Sequence, residues 1–144
     1  MTHAHEAITA LIHRYAERVD GGDLAGVAAL FADSTYGAEG GPQRRGTAEV
    51  LAALRDAIIL HDGVPRTKHV ITNLTIDVDE TAGTAAARSY FTVLQATPTL
   101  ALQPILAGRY HDRFGRGAGG WHFADRRIFI DLIGELREHV RPRR

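Results

Sequence analysis

Residues 107–132 read AGRYHDRFGRGAGGWHFADRRIFIDL, and this stretch decides the fold. Apolar and polar side chains alternate on both sides of a glycine-rich centre, as they do in β-strands, whose successive side chains point to opposite faces. Glycine reaches the positive φ angles that a chain reversal needs. The pattern therefore predicts a long β-hairpin with its turn inside residues 115–120.

The second strand of this predicted hairpin has apolar side chains on both faces. Strict alternation assigns one face to Trp121, Phe123, Asp125, Arg127 and Phe129, and the other to His122, Ala124, Arg126, Ile128 and Ile130. A strand that is apolar on both faces usually lies between a core and a second covering surface. We therefore expect a helix or another subunit to cover each face.

Composition restricts the class of protein. The 144 residues suffice for one domain, which we place at residues 1–136, followed by a basic C-terminal tail at 137–144. Because 17 basic side chains balance 17 acidic ones, neither nucleic acid nor a membrane is expected as a partner. The absence of cysteine excludes disulfides and thiolate chemistry. With no signal peptide or long apolar run, the chain is expected to be cytoplasmic.

Three helices are predicted in the first 60 residues. Apolar residues recur with helical spacing over 5–19, and the Asp20-Gly21-Gly22 sequence ends that helix. Asp23 is expected to cap a second helix, and Thr47 a third that Gly63 and Pro65 stop. A short strand at 34–36 lies between the second and third helices.

Period-two patterns then predict strands at 67–78 and 84–96, followed by an irregular connection between Pro98 and Pro104. In the first of these strands, alternation places His69, Ile71, Asn73 and Thr75 on one face and Val70, Thr72, Leu74, Ile76 and Val78 on the other. Helices followed by strands indicate the α+β class. We expect a cone-shaped, curved antiparallel sheet wrapped around the three N-terminal helices.

Asp20 and His69 are the candidate catalytic pair. Asp20 directly follows the buried stripe of the first helix, and His69 lies near the start of the first long strand. If both side chains face the interior, the carboxylate can accept a hydrogen bond from one ring nitrogen and leave the other as a general base. Alternatively, Asp20 caps the following turn and His69 is a half-buried strand residue.

The motifs and their order resemble SnoaL-like proteins of the nuclear transport factor 2 superfamily. The resemblance covers nearly the whole chain and rests on Tyr15, Asp20, Asp23 and Phe31, then Lys68-His69 with Asn73, then GRYHDRF and GGWHFADRR. It implies the cone-shaped fold. Within the superfamily, the chain resembles scytalone dehydratases and hexachlorocyclohexane dehydrochlorinases, in which an aspartate and a histidine remove a proton without a cofactor.

This resemblance implies a dehydratase, isomerase or cyclase that acts on a small hydrophobic, cyclic or polyketide-like molecule through His69 and Asp20. Two departures stand out: residues 89–95 contain no second histidine, and the cation expected near the pocket is Arg127 or its neighbour Arg126, depending on register. The expected substrate-binding residues are Tyr15, Asn73, Arg127, Trp121, Phe123 and Phe31. Tyr15 can equally be a core aromatic, and Asn73 can bond a neighbouring loop.

No cofactor and no metal ion are expected, because the eight histidines form no HExxH or comparable ligand set. A non-catalytic binding or assembly module is the rival function, and an epoxide hydrolase using Arg88 and Asp112 is a third. An apolar outer face formed by Ile128 and Ile130 beside Leu74 and Ile76 predicts a homodimer, with a trimer second.

Overall fold

A computed structural model describes residues 3–142 and has helices and strands in the predicted order. The helices are α1 (His3–Asp20), α2 (Leu24–Ala29) and α3 (Gly46–Ala57). The strands are β1 (Thr35–Ala38), β2 (Arg44–Arg45), β3 (Thr67–Asp79), β4 (Thr84–Thr97), β5 (Leu100–Gly117) and β6 (Gly120–Ile133). Within residues 3–142, none of the helices has the length and apolarity needed to cross a bilayer.

The six strands form one sheet in the order β2-β1-β6-β5-β4-β3. The long strands β3 to β6 are antiparallel neighbours, whereas β1 pairs with β6 in parallel. The sheet is therefore mixed, and it curls without closing. Because β1 and β6 lie far apart in the sequence, no hairpin turn constrains their relative direction. The predicted α+β class with three helices and a curved sheet is confirmed.

The core lies between the helices and the inner face of the sheet. α1 packs across β3 and β6, and its apolar stripe is buried as predicted. Asp23 caps α2 by accepting a hydrogen bond from the backbone N–H of Gly26, at 2.9 Å. The predicted Thr47 cap is wrong: α3 starts at Gly46, with Arg45 at the cap position and no side-chain bond. Residue Ile58, which is extended, ends this helix before Gly63.

β5 is longer than predicted, because it starts at Leu100 and includes Pro104. The predicted irregular connection between Pro98 and Pro104 is therefore wrong. A β-bulge accommodates the proline: Val93 pairs with Leu106 and Leu94 with Pro104, so β5 has one extra residue there.

A second bulge changes which residues of β6 face inward. Arg113 pairs with Asp125 and Phe114 with Phe123, so Ala124 is the extra residue. Strict alternation is wrong beyond this point, because an inserted residue moves every following side chain to the opposite face. Phe123 and Arg126 both face the core as a result.

A third bulge interrupts β3. Thr72 pairs with Tyr90 and Thr75 with Arg88, and Asn73 has a φ of 53°. His69 and Ile71 face inward before the bulge, and Leu74 and Ile76 face inward after it. The predicted face that joins Leu74 with Val70 is therefore wrong.

Of the four residues predicted to form an apolar outer face, Ile130 is exposed and the other three are partly buried. Leu74, Ile76 and Ile128 pack against the core, whereas the large exposed hydrophobic residues are Leu60, Val64, Val70, Tyr90, Leu102, Ile130, Leu132 and Ile133. The homodimer stays a prediction.

The C-terminal segment, defined as residues 134–142, is packed against the body of the domain. Val140 forms a bridge with Ile58, and the Arg141 guanidinium donates to the backbone carbonyls of Arg55 and Ile58, each at 2.8 Å. Residues 137–142, which belong to the predicted basic C-terminal tail, thus contact the domain. Residues 143–144 lie outside the described residues.

Candidate active site

The side chains of Asp20 and His69 are in direct contact. His69 Nδ1 lies 2.6 Å from Asp20 Oδ1, and the backbone N–H of His69 donates to Asp20 Oδ2 at 2.8 Å. Thr67 adds a third bond from its hydroxyl to Asp20 Oδ1, also at 2.8 Å. Both side chains of the pair are largely covered, with 8% of His69 and 11% of Asp20 exposed. We call Asp20 and His69 the dyad.

Local structure places Asp20 for this contact. It is the last residue of α1, which packs against β3, and the turn after it includes Gly22 with a φ of 77°. A Cβ atom at Gly22 would lie 1.9 Å from the carbonyl oxygen of Gly63. Only glycine therefore lets the loop before β3 approach the end of α1, close to the dyad.

The hydrogen bonds keep Asp20 ionised. Burial by itself would raise the pKa of Asp20, but the bonds from the ring and backbone of His69 and from Thr67 outweigh it and lower this pKa below its ordinary value. The carboxylate accepts a hydrogen bond from Nδ1–H and thereby fixes the tautomer of the ring. None of residues 3–142 forms a hydrogen bond with His69 Nε2, so its lone pair is available as a base.

The sequence pattern does not single out Thr67 or His139 as parts of this site. Thr67 lies two residues before His69 on the same face of β3, so period-two alternation could have predicted that both side chains point inward. His139 belongs to the C-terminal segment, and its ring centroid lies 6.4 Å from that of His69. No sequence pattern indicates that this segment folds back over the dyad.

Arg126, and not Arg127, is the cation of the interior. It is fully buried, and its guanidinium makes two hydrogen bonds to Asp112, at 2.8 and 2.9 Å. It also lies 3.6 Å from the ring centre of Tyr110 and 4.3 Å from that of Tyr15. Burial alone would lower the pKa of Arg126, but the Asp112 carboxylate raises it, so the guanidinium stays charged.

Aromatic side chains fill the interior around Arg126. Phe31 stacks on Phe123 at 4.9 Å, and both are fully buried. The hydroxyl of Tyr15 lies 2.6 Å from that of Tyr36, and burial raises the pKa of both phenols. Three of the predicted substrate-binding residues, Tyr15, Phe31 and Phe123, thus belong to this aromatic cluster. Trp121 pairs with Arg116 near the β5–β6 turn, at the other end of the sheet from His69.

The structure separates two predicted residues from the dyad. Asn73 is exposed, because the bulge in β3 turns it away from the face of His69. Arg127 is on the outer face and pairs with Glu39 at 3.1 Å, because the bulge at Ala124 exchanges it with Arg126. The predictions that Asn73 and Arg127 face the interior are therefore wrong.

A groove of about 400 Å³ lies on the outer face of the sheet and not at the dyad. Its lining residues are Ala86, Ala87, Arg88, His111, Asp112, Arg113, Asp125, Arg127 and Phe129. Arg88 is exposed there, whereas the Asp112 carboxylate is buried against Arg126. The Arg88–Asp112 pairing that an epoxide hydrolase would need is thus wrong. Within residues 3–142, no group of three or more acidic or histidine side chains has the arrangement of a metal site.

Solved structures of similar fold support this architecture. A protein of unknown function from Mycobacterium tuberculosis has a TM-score of 0.70 and 28% identity over 88% of this chain and 70% of its own. ActVI-ORFA from Streptomyces coelicolor has a TM-score of 0.73 and 22% identity over 90% of this chain and 98% of its own. A candidate scytalone dehydratase from Novosphingobium aromaticivorans has a TM-score of 0.72 and 21% identity over 89% and 84%.

Sequence comparison identifies the family. No curated protein matches the chain significantly. The family profile of the SnoaL-like domain, however, matches residues 1–127, which include the dyad and all three helices. The SnoaL-like family includes polyketide cyclases and dehydratases. On this match and on the mixed, curled sheet with its three helices, the chain belongs to the SnoaL-like family.

Proposed function

We propose that this protein is a cofactor-independent enzyme that removes a proton from carbon in a small hydrophobic, cyclic ketone of the polyketide type. The observation that carries the proposal is the dyad. Asp20 Oδ1 accepts the hydrogen bond that orients the His69 ring, while the backbone N–H of His69 and the hydroxyl of Thr67 hold the carboxylate in place. Within residues 3–142, no group bonds to His69 Nε2. An ionised acid behind the ring also stabilises the imidazolium that forms when Nε2 takes a proton.

Removal of a proton next to a carbonyl puts negative charge on the carbonyl oxygen, and the interior offers a cation for that charge. Arg126 takes the role expected of Arg127, because it faces inward and its Nη1 has no hydrogen-bond partner among the described residues. Arg126 Nε and Nη2 donate hydrogen bonds to the Asp112 carboxylate, which holds the guanidinium in place. Electrostatic stabilisation of this kind is often the largest part of catalysis.

The reaction we favour is the dehydration of a cyclic β-hydroxyketone. His69 Nε2 takes the proton from the carbon between the carbonyl and the hydroxyl-bearing carbon, and an enolate forms. The enolate then expels the hydroxyl group, which takes the proton from His69 and leaves as water. Isomerisation and cyclisation share the first step, and the comparisons with ActVI-ORFA and the candidate scytalone dehydratase suit this reaction class.

The test uses 3-hydroxy-1-tetralone, whose dehydration yields fluorescent 1-naphthol. We expect turnover by the wild-type protein, a loss of about 10²- to 10⁴-fold in His69→Ala, and a smaller loss in Asp20→Asn. Asn73→Ala, an exposed substitution on the same strand, serves as the control and should retain turnover. Equal rates in wild type and His69→Ala would refute the proposed function.

The rival is a binding module without catalysis. The filled interior supports this rival function. Aromatic side chains occupy the space behind the dyad, and the groove lies on the outer face of the sheet. It predicts saturable binding of 1-tetralone without turnover of the 3-hydroxy compound, and the same pair of compounds therefore separates the two functions.

A further inference from the structure

The C-terminal segment places a second imidazole beside the dyad. The rings of His139 and His69 have centroids 6.4 Å apart and planes inclined at 66°. The backbone holds His139 there: its carbonyl accepts from the N–H of Ile59 at 2.9 Å, and His61 Nε2 donates to the carbonyl of Glu138 at 2.8 Å. The family profile ends at residue 127, so this second imidazole lies outside the part of the chain that the family match describes.

Two buried polar atoms in this region have no partner. His139 is 5% exposed and Gln95 1%, and neither His139 Nδ1 nor Gln95 Oε1 has a hydrogen-bond partner within residues 3–142. The amide nitrogen of Gln95 donates to the carbonyl of Glu138 at 3.1 Å, which places both atoms beside the C-terminal segment. A buried, unpartnered polar atom costs about 1–3 kcal/mol. Native proteins keep few such atoms, and a ligand that supplies the partners would account for both.

His139 is uncharged at neutral pH. Burial is the main cause that lowers its pKa from 6.5 to about 4; His69 and His61 act in the same direction, and Asp20 opposes them. A neutral imidazole still donates one N–H bond. It is a poor proton donor but a good hydrogen-bond donor to a developing enolate, a role that neutral histidine is known to fill in isomerase chemistry.

Building on the proposed function, we propose that His139 is a second active-site imidazole that donates a ring N–H hydrogen bond to the substrate carbonyl while His69 removes the neighbouring proton. His139 keeps its proton throughout. The electron pair of the broken C–H bond moves to the carbonyl oxygen and is stabilised there by this bond. It then returns to form the new C=C bond as the hydroxyl group leaves with the proton from His69. The substrate class is thus a small ketone whose carbonyl oxygen reaches His139 while its neighbouring carbon reaches His69 Nε2.

The first experiment measures dehydration of 3-hydroxy-1-tetralone by three variants. His139→Leu removes the donor and should lower kcat about 10²- to 10³-fold with little change in KM. His139→Asn keeps an N–H close to the position of Nδ1 and should recover most of the lost rate. Asn73→Ala, an exposed substitution on β3 away from both imidazoles, removes no donor and should stay within about threefold of wild type. A His139→Leu rate equal to wild type would overturn the inference.

The second experiment does not require turnover. Binding of 1-tetralone labelled with ¹³C at the carbonyl should move its NMR signal downfield in wild type and in His139→Asn, but not in His139→Leu. If the signal depends on His139 and no 3-hydroxy-1-tetralone reacts, the donor role stands and the proposed function fails. If turnover depends on His69 but neither measurement depends on His139, the proposed function stands and this inference fails. Absence of both binding and turnover would overturn both.

Discussion

Asp20 and Asp112 each pair with a basic side chain inside the fold, but in different surroundings. The Asp112–Arg126 pair is completely buried, makes two parallel hydrogen bonds and lies beneath aromatic rings. The Asp20–His69 pair lies at the β3 edge of the sheet, where both side chains keep some exposure. The pKa values of the two acids also shift in opposite directions. Burial raises the pKa of Asp112 despite the neighbouring Arg126, whereas hydrogen bonds lower the pKa of Asp20 despite its burial.

This contrast separates a pair that holds a fixed charge from a pair that can transfer a proton. Arginine does not release its proton in proteins, so Arg126 can fix charge but cannot transfer a proton. Histidine changes charge near neutral pH, and no group in the described part of the chain, residues 3–142, bonds to the second ring nitrogen of His69. We therefore expect changes to the Asp112–Arg126 pair to lower both the stability and the rate, and changes to the dyad to affect mainly the rate.

The largest expected effect is on stability, at Arg126. Arg126→Met leaves the Asp112 carboxylate buried without a partner, and we expect the free energy of unfolding to fall by about 3–5 kcal/mol. Urea unfolding followed by circular dichroism measures this. The matched control is the neighbour Arg127→Met, which breaks an exposed pair with Glu39 and should cost less than about 1 kcal/mol. Similar losses in the two variants would contradict the register of β6.

A second prediction concerns the acid sensitivity of the dyad end of the molecule. As the pH falls from 6.5 towards 4, the unfolded chain protonates His139 but the folded protein does not, because its pKa is lowered to about 4. The free energy of unfolding should therefore fall with pH, by up to about 3 kcal/mol from this group. Asp20 has a lowered pKa and adds its own loss only below its ordinary value of 3.8.

Urea unfolding of wild type and His139→Leu at several pH values between 7 and 4.5 measures this contribution. We expect a shallower pH dependence in the variant, because leucine binds no proton in either state. Parallel curves for the two proteins would show that His139 is not buried in its neutral form.

The smallest expected effect is at Asn73, which lies on the same strand as His69 but outside the dyad. Its positive φ suits glycine and asparagine and disfavours β-branched residues. Asn73→Gly should change stability by less than about 1 kcal/mol, whereas Asn73→Val should cost about 1–2 kcal/mol. Thermal unfolding compares the two. Equal stability would mean that β3 has no bulge and that Asn73 faces the interior as alternation predicts.

Local patterns were sufficient for the helices and for the existence of the long strands. The stripe of α1 and the Asp23 cap depend on neighbours within one helical turn, and such short-range preferences can be read from sequence. Asp20 and His69 were identifiable because one ends a helix and the other begins a strand. Their contact, however, depends on α1 packing across β3, which is a long-range interaction.

The incorrect predictions of strand faces have a common physical origin. Each β-bulge adds one residue to one strand of a pair. The alternation of side chains around Asn73, Pro104 and Ala124 does not indicate where such an extra residue lies. One inserted residue was enough to exchange Arg126 with Arg127. The packing of the C-terminal segment could not be predicted for a related reason. Its hydrogen bonds are with the backbone near α3 and with Gln95. Every residue type has backbone groups, so a sequence pattern does not indicate which of them will be bonded.

The sequence by itself therefore determined the α+β class and the order of the three helices and the long strands, because hydrophobic periodicity and helix ends are local properties. The resemblance to the SnoaL-like family pointed to the two residues of the dyad. Only the tertiary structure decided that Arg126 is the interior cation, that Asn73 is exposed and that His139 lies beside His69. These depend on strand register and on the packing of distant segments, whose free energies come from contacts that no local pattern contains.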